Sequence, residues 1–483
     1  MLKFKLKLVI FILFFFLLLF SSISLVNHYN LRTFAWDLGI NNNAIFDYAH
    51  LRWNDCMLLT PQFTNILADH FTIYPILISP FYYITGSYTM LIFQILSILF
   101  GAYGIFLLFN LKYPKNSWIP LISVIHFLSI FGIYSALSFD YHDNVVAAMF
   151  VPWLFYSFEI KNYKMIILFS ILMCIGKENM ALWLIFIMIG IALSYPGFDK
   201  RRNYAFLISF LSLLYFFVIV KFIIPELGNN DQTYLHFKYK ALGENSLKVL
   251  ETFFSKPGYI FKLFFETHHV IPEAFGAKPE LHFMVLLSGG IFIFLRPKFL
   301  IMLIPIYGQK LFNDDFTKWG INDHYSIEFV PILCIAAFSY LVQLKKHQLT
   351  TGIAVTLLTI VATMVTIGKR NSNWYHGERL QFYSPNHYYS DFNTKAIYEG
   401  MKLIPDSASV SASSFLVSHL AFRQYIYQFP DGTESDYIVL QKNEHPYPLS
   451  REDLELKVYE LSKSHITIFS KSEFYIFKKN PTL

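Results

Sequence analysis

The sequence predicts an α-helical polytopic membrane protein of about 11 transmembrane helices, with a small extracytoplasmic α/β domain at its C-terminal end. Three observations predict it. Of 483 residues 55% are hydrophobic and only 15% charged, a balance too apolar for a soluble chain of this length. Apolar runs close to bilayer length recur up to Ile367. Lys and Arg fall in small clusters between those runs and form no basic face, so the net charge of +6 reports orientation and not a nucleic-acid partner.

The first run, Leu6 to Val26, follows Lys3, Lys5 and Lys7. It approaches a full crossing and no A-x-A cleavage site follows, so it reads as a retained span with a cytoplasmic N-terminus. Further apolar segments run from Tyr88 to Asn110, Trp118 to Leu137, Asn144 to Glu159, Met165 to Gly176 and Ala181 to Tyr195. Beyond them come Tyr204 to Pro225, Leu281 to Leu295, Phe299 to Phe312, Ser326 to Leu344 and Thr350 to Ile367. With the N-terminus inside, Lys112 with Lys115, Lys161 with Lys164, Lys200 to Arg202, Arg296 with Lys298, and Lys345 with Lys346 are all expected to be cytoplasmic, as the positive-inside rule requires. The two short runs flanking Lys177 can be removed as a pair without altering any later orientation.

An odd number of crossings places everything after Ile367 outside. There the composition turns polar, and short β-like stretches appear: "SASVSAS", "YIYQF", "DYIVLQ" and "ITIFSKSEFYIFKK", bounded by Pro, Asp, Gly and Ser. The expected organisation is a transmembrane domain over 1–367, with a long first external loop at 27–87 and another at 226–280, then an extracytoplasmic α/β domain over 368–483. Cys56, Cys174 and Cys334 are too scattered for a disulfide framework or a cysteine-rich metal site.

Ionisable residues at membrane depth are costly, so the face on which they collect is informative. They collect on the external face: Asp37 and Asp47 in the first loop, "ADHF" (Asp69, His70), "FDYHDN" (Asp140, His142, Asp143), "GKEN" (Lys177, Glu178), "FFETHH" (His268, His269) and "NDDFTKWGINDHYSIEF" (Lys318, His324, Tyr325, Glu328). Lys177 and Glu178 sit between two barely sufficient apolar runs, the tip of a hairpin with its charges just below the surface; alternatively they snorkel to water. His and Asp side chains suit a divalent cation, with Asp140, His142 and His70 as candidate ligands, or they are loop residues satisfied by hydrogen bonds. No H-E-x-x-H, phosphate-binding glycine loop or G-x-S-x-G elbow occurs. The 52 Phe and 32 Tyr serve interfacial anchoring and sugar stacking equally well.

The order "FAWDLGINNNAIFDYA", "ADHFTIYPILISPFYYITGSY", "LSFDYHDNVVAAMF", "ILMCIGKENMALW", "DHYSIEFVPIL" and "IPDSASVSASSFLVSHLAFRQYIYQFP" resembles a domain-of-unknown-function family of polytopic bacterial and archaeal membrane proteins, domain of unknown function 2079. That family resembles the C-type (GT-C) glycosyltransferases, which use polyprenyl-phosphate-linked sugars. The resemblance covers nearly the whole chain and implies a GT-C-like fold. It also implies transfer of a sugar from a lipid-linked donor to a glycan, lipid or protein acceptor of the cell envelope, at the cytoplasmic (inner) membrane, with no nucleic acid involved.

Such enzymes typically keep an acidic residue in the first external loop, and Asp37 of "WDLG" occupies that place. Leu38 stands where a second carboxylate often follows, and Asp143 and Asn144 stand where the family commonly has Pro-Glu. In the implied mechanism Asp37 accepts the acceptor's proton. Lys177 offsets the charge of the departing phosphate, with Arg32 and Lys318 as alternates, and Glu178 orients Lys177. Asn41, His70, Asp140, His142, His324 and Tyr325 contact the sugar, or the histidines and Asp140 hold a divalent metal ion. A second reading of Asp37 is a cap for the short helix starting near Ile40. A transporter or flippase is the rival function, although the sequence shows no inverted repeat and few ionisable residues in mid-span.

Overall fold

The computed structural model describes residues 2–59, 65–115, 117–228, 238–268, 271–369 and 377–480. His269 and residues 229–237 of the second external loop lie outside the described residues. The chain is mostly helical, with a small sheet near its C-terminus.

Every apolar run of the sequence falls on helix, but the helices differ in reach. Five are long and apolar enough to cross a membrane: Lys3–Tyr29, Tyr74–Lys112, Lys200–Leu227, Ala277–Phe294 and Gln348–Gly368. A sixth is available if Ile119–Ser129 and Phe131–Leu137, bent by 45°, count as one span. The bend arises at Ile130, whose backbone is extended and interrupts the ladder. Tyr163–Cys174 has 12 residues, Glu178–Ala192 has 15 and Phe329–Leu341 has 13, so each rises only about 18–22 Å against a hydrocarbon thickness of about 30 Å. The run from Asn144 to Glu159 is two helices, Asp143–Ala148 and Val151–Glu159, with Pro152 at the start of the second. Within Ala277–Phe294 the chain breaks at Gly289, whose φ of +96° is accessible only to glycine without strain.

The molecule divides into two compact units. The first comprises Met1–Ser21, His70–Thr72 and Gln94–Gln381. Its helices Glu178–Ala192 and Pro297–Leu311 run antiparallel: Asn179 Nδ2 donates to Gln309 Oε1 (3.4 Å) at one end, Trp183 Nε1 to the Met302 carbonyl (2.9 Å) in the middle, and Lys298 Nζ to Ser194 Oγ (2.9 Å) at the other. Basic loop residues gather at that last end, where Lys112 pairs with Glu159, Arg201 with Asp199, and Lys298 lies within Coulombic reach of Arg296, Lys112 and Glu159. Gly132 permits the backbone of Phe131–Leu137 to touch that of the 322–328 segment, since a Cβ there would lie 2.4 Å from the Ser326 carbonyl oxygen.

The second unit comprises Ser22–Asp69, Ile73–Phe93 and Phe382–Leu483, so the first loop and the C-terminal segment fold together. Its sheet has five strands: β1 (Val410–Ala412), β2 (Ile426–Gln428), β3 (Tyr437–Gln441), β4 (Ile466–Lys471) and β5 (Phe474–Lys478), in the order β2-β1-β3-β5-β4. The neighbours of β1 are parallel to it and those of β5 antiparallel. All five residues of β3 are buried, consistent with the unbroken apolar run "YIVL" of a strand covered on both faces. The stretch "ITIFSKSEFYIFKK" is a hairpin, turned by Ser472 and Glu473 with φ of +55° and +61°. Helix Arg451–Ser464 covers one face, and Leu454, Val458 and Leu461 pack on Ile438, Leu440 and Phe477.

Two consecutive asparagines, Asn42 and Asn43, fasten the loop to the end of the C-terminal helix Ser414–Leu420. Asn42 Nδ2 donates to the Ser418 carbonyl (2.9 Å), and Asn43 Nδ2 donates to the carbonyls of Ala421 (3.1 Å) and Arg423 (3.0 Å). Asn54 Nδ2 in turn donates to Asn43 Oδ1 (3.1 Å) and Asp47 Oδ2 (2.9 Å). Because buried amides without partners cost more than made bonds gain, Asn43→Ala is expected to destabilise this unit by about 2–3 kcal/mol. A drop in thermal midpoint of the full-length protein in detergent checks it; an unchanged midpoint contradicts the latch.

Candidate functional site

Helix Glu178–Ala192 begins at Lys177, whose backbone is extended (φ −169°). Glu178 is fully buried, and a buried carboxylate must be paired. His70 Nδ1 lies 3.0 Å from its Oε1, and the Phe71 backbone N–H donates to its Oε2 at 3.2 Å. The carboxylate that the sequence reading gave to Lys177 therefore anchors the "DHF" segment within the first unit.

The segment "FDYHDN" is held by Gln94, whose Nε2 donates to the Asp140 carbonyl (3.3 Å) and whose Oε1 accepts from the His142 N–H (2.9 Å). Tyr141 Oη donates to Asp143 Oδ1 (2.8 Å), and Asn144 Nδ2 donates to Glu328 Oε1 (2.8 Å), tying this segment to "NDHYSIE". The rings of His142 and His324 stack with centroids 3.4 Å apart, and Tyr325 lies 4.0 Å from His324. Burial holds His324 well below the usual imidazole range; His142, Lys177, Lys318 and Lys310 depress it further, so the ring is neutral. Burial also lowers Arg379 against the opposing charges of Asp140 and Asp323.

Lys310 Nζ sits 5.9 Å and Lys318 Nζ 5.6 Å from the centroid of the Tyr325 ring. Burial, with Lys177 and Lys238 adding to it and Asp315 opposing it, lowers Lys318 to about 8. Acids of the same cluster act on these ammonium groups: Asp315 on Lys318, Asp143 and Glu328 on Lys177, and Glu328 on Lys310. The acids of the cluster also accept hydrogen bonds: Asp315 from the Thr317 N–H and Oγ1, Glu328 from Asn144, Glu178 from the "DHF" segment. The arrangement is thus a buried polar cluster in which ammonium, carboxylate and imidazole groups lie within Coulombic reach of one another.

The structure brings His70, Asp140, His142, Lys177, Glu178, Lys318, His324 and Tyr325 into one unit. It does not assemble the metal ligands: among the described residues no three His, Cys, Asp or Glu side chains converge as a cation site, so Asp140, His142 and His70 do not fit one. Asp37, Arg32 and Asn41 belong to the second unit. Arg32 is a clasp for the C-terminal segment, its guanidinium donating to the carbonyls of His387 (2.8 Å) and Asn386 (3.3 Å), and Asn41 Nδ2 donates back to the Asp37 carbonyl (2.9 Å). Asp37 lies in a π-helical turn, Ala35–Gly39, that leads into helix Ile40–Ala49, and no side chain caps either start. Lys310, Asn144, Gln94 and Arg379 were missed by sequence reasoning; Lys310, an ionisable residue inside an apolar run, carried the signal that could have found it.

The family described as Predicted membrane protein (DUF2079) matches residues 27–465. The chain belongs to the DUF2079 family. No curated protein matches it. The matched span holds both the polar cluster of the first unit and the first-loop residues of the second, so this DUF2079 protein carries its unusual side chains within the family's own extent. The description establishes membrane character and names no reaction.

Because the Lys318 pKa in the folded protein lies near 8, below the ordinary 10.5, the unfolded chain binds more protons between those values. Stability of the ligand-free protein should therefore rise as pH increases from about 8 to 10.5. Lys318→Met should flatten that rise and raise the thermal midpoint at pH 7. Parallel pH series of both proteins test it, and an equal rise in the variant refutes the assignment.

Proposed function

We propose that this DUF2079 protein is a membrane glycosyltransferase that moves a sugar from a polyprenyl-phosphate-linked donor to a cell-envelope acceptor on the external face. The observation that supports it is the cluster just described, in which Lys177 and Lys318 lie among buried acids and histidines at the ends of apolar helices. In the reaction the acceptor oxygen attacks the anomeric carbon and its proton passes to a carboxylate. The bond from that carbon to the phosphate oxygen breaks, and the phosphate leaves with the electron pair. Ammonium groups in a poorly hydrated site stabilise that developing charge. Lys177 takes this role with Lys318 beside it, and His70, Asp140, His142, His324 and Tyr325 offer contacts for sugar hydroxyls. The base is assigned to Asp37 on the sequence resemblance.

About 11 helical crossings, a cytoplasmic N-terminus and an extracytoplasmic C-terminal domain belong to the same proposal. Gathering of the basic loop residues at the Ser194 end of helix Glu178–Ala192, with the polar cluster at its Lys177 end, supports a two-sided arrangement. Transport or flipping of a lipid-linked or small polar substrate is the second reading, favoured by the interrupted helices at Ile130 and Gly289, since broken spans recur at transporter binding sites.

The deciding experiment offers purified protein in lipid a panel of radiolabelled polyprenyl-phosphate sugars and crude envelope acceptor, with and without chelator. Wild type is expected to consume one donor and Asp37→Asn to lose about 100-fold or more in rate while keeping its thermal midpoint. Movement of a donor across vesicles without chemical change would establish the transport reading instead.

A further inference from the structure

The sequence reads residues 226–280 as an external loop, yet two short helices within it, Ser246–Ser255 and Pro257–Leu263, turn large apolar side chains outward. On the first helix Leu247, Leu250 and Phe254 recur at helical spacing along one side, and Lys248 pairs with Glu251 (2.8 Å) on another. Leu247 is 79%, Phe254 86% and Phe261 of the second helix 68% exposed, and Phe265 stands exposed one turn after Phe261. The flank toward the protein is apolar as well: the rings of Phe253 and Phe264 meet Phe312 edge-on, at 5.4 and 5.2 Å. An outer flank of this apolar character needs a medium other than water.

The depth of this helix pair is fixed by the apolar helix that follows it, Ala277–Phe294, which is long enough to cross a membrane. Lys278 Nζ donates to the carbonyls of Leu263 (2.6 Å) and Glu266 (3.0 Å), closing the end of helix Pro257–Leu263. His282 Nε2 lies 2.8 Å from the Phe264 carbonyl, and its ring lies 5.1 Å from that of Phe265. Lys278 and His282 belong to the first two turns of the crossing helix, so the pair is held beside those turns, within about 8 Å of the helix start along its axis. With 10 and 7 residues, the two helices rise only about 15 and 10 Å and cannot themselves cross.

Lipid is the occupant that this placement selects. A helix pair pinned at the start of a crossing helix, with an apolar outer flank, meets acyl chains before it meets any soluble partner. Lys256, which joins the two helices, and Lys262 are both exposed. Their aliphatic stems can lie along apolar surface while the ammonium groups reach the phosphates of the headgroup layer.

We propose that residues 246–265 lie in the plane of the membrane, with Leu247, Leu250, Phe254, Phe261 and Phe265 in the upper acyl region and Lys256 and Lys262 among the lipid phosphates. The segment is then an in-plane anchor that holds the loop against the leaflet from which it emerges. Its placement is the same for a transferase and for a transporter.

The test is made on the full-length protein in bilayers of phosphatidylethanolamine and phosphatidylglycerol. Phe254→Cys and Phe261→Cys are each labelled with a fluorescent maleimide, beside Tyr459→Cys on helix Arg451–Ser464, where the native ring is 57% exposed. Cys56, Cys174 and Cys334 are buried, so unsubstituted protein measures the labelling background. Thermal midpoints equal to wild type show that each variant is folded. A nitroxide near the top of the lipid acyl chain is expected to quench the labels at 254 and 261 about threefold or more better than aqueous iodide does, and the label at 459 the other way round. Iodide quenching at 254 and 261 as strong as at 459 would place the helix pair in water and overturn the membrane face. Protection from both quenchers would mark a protein contact, with a second copy or another partner, and overturn the lipid assignment.

Discussion

The buried carboxylate of Glu178 is the constraint on which the first unit's polar chemistry depends. The start of a helix exposes unsatisfied backbone N–H groups, and an acidic residue in the first turn is favourable there. The same carboxylate, wholly withdrawn from water, has to find donors, and it takes them from His70 and the Phe71 N–H. That requirement draws three residues out of the first loop into the unit that holds the rest of the cluster. It also leaves Lys177, one residue earlier and in an extended conformation, without the neighbour that its sequence position suggests.

Much of the architecture was legible because hydropathy reports burial directly. Each apolar run became helix, and the four β-like stretches after Ile367 became the strands of the sheet. Helix lengths were less legible. An average over about twenty residues cannot see that Ile130 goes extended, that Gly289 takes a positive φ, or that Pro152 restarts a helix, and each event divides a run of unchanged composition. The pairing of Glu178 with His70 spans 108 positions, and no local pattern encodes it.

In the first loop, residues with a chemical look also serve the fold. Amide and guanidinium groups just after a membrane span read as ligands for a substrate. In the structure Arg32 closes on backbone carbonyls of the 386–387 segment, and Asn42 and Asn43 close on the end of helix Ser414–Leu420. A loop and a C-terminal domain separated by some hundreds of residues share one unit because these polar side chains satisfy carbonyls left open at helix ends. Composition gives no way to separate an amide that caps a carbonyl from one that awaits a sugar.

Lys310 carries the remaining step. Placed inside an apolar run it adds little to a hydropathy average, yet a buried ammonium is among the most expensive groups a helix can hold. Lys278 shows how the fold meets that cost when the role is structural, for its ammonium donates to the carbonyls of Leu263, Glu266 and Leu311 and faces Trp319. Around Tyr325 the means differ: Lys318 faces the ring with Asp315 within Coulombic reach, and burial lowers its pKa. One fold thus meets the cost of a buried ammonium in two ways, with carbonyls and with an aromatic face, and hydropathy separates neither lysine from its apolar neighbours.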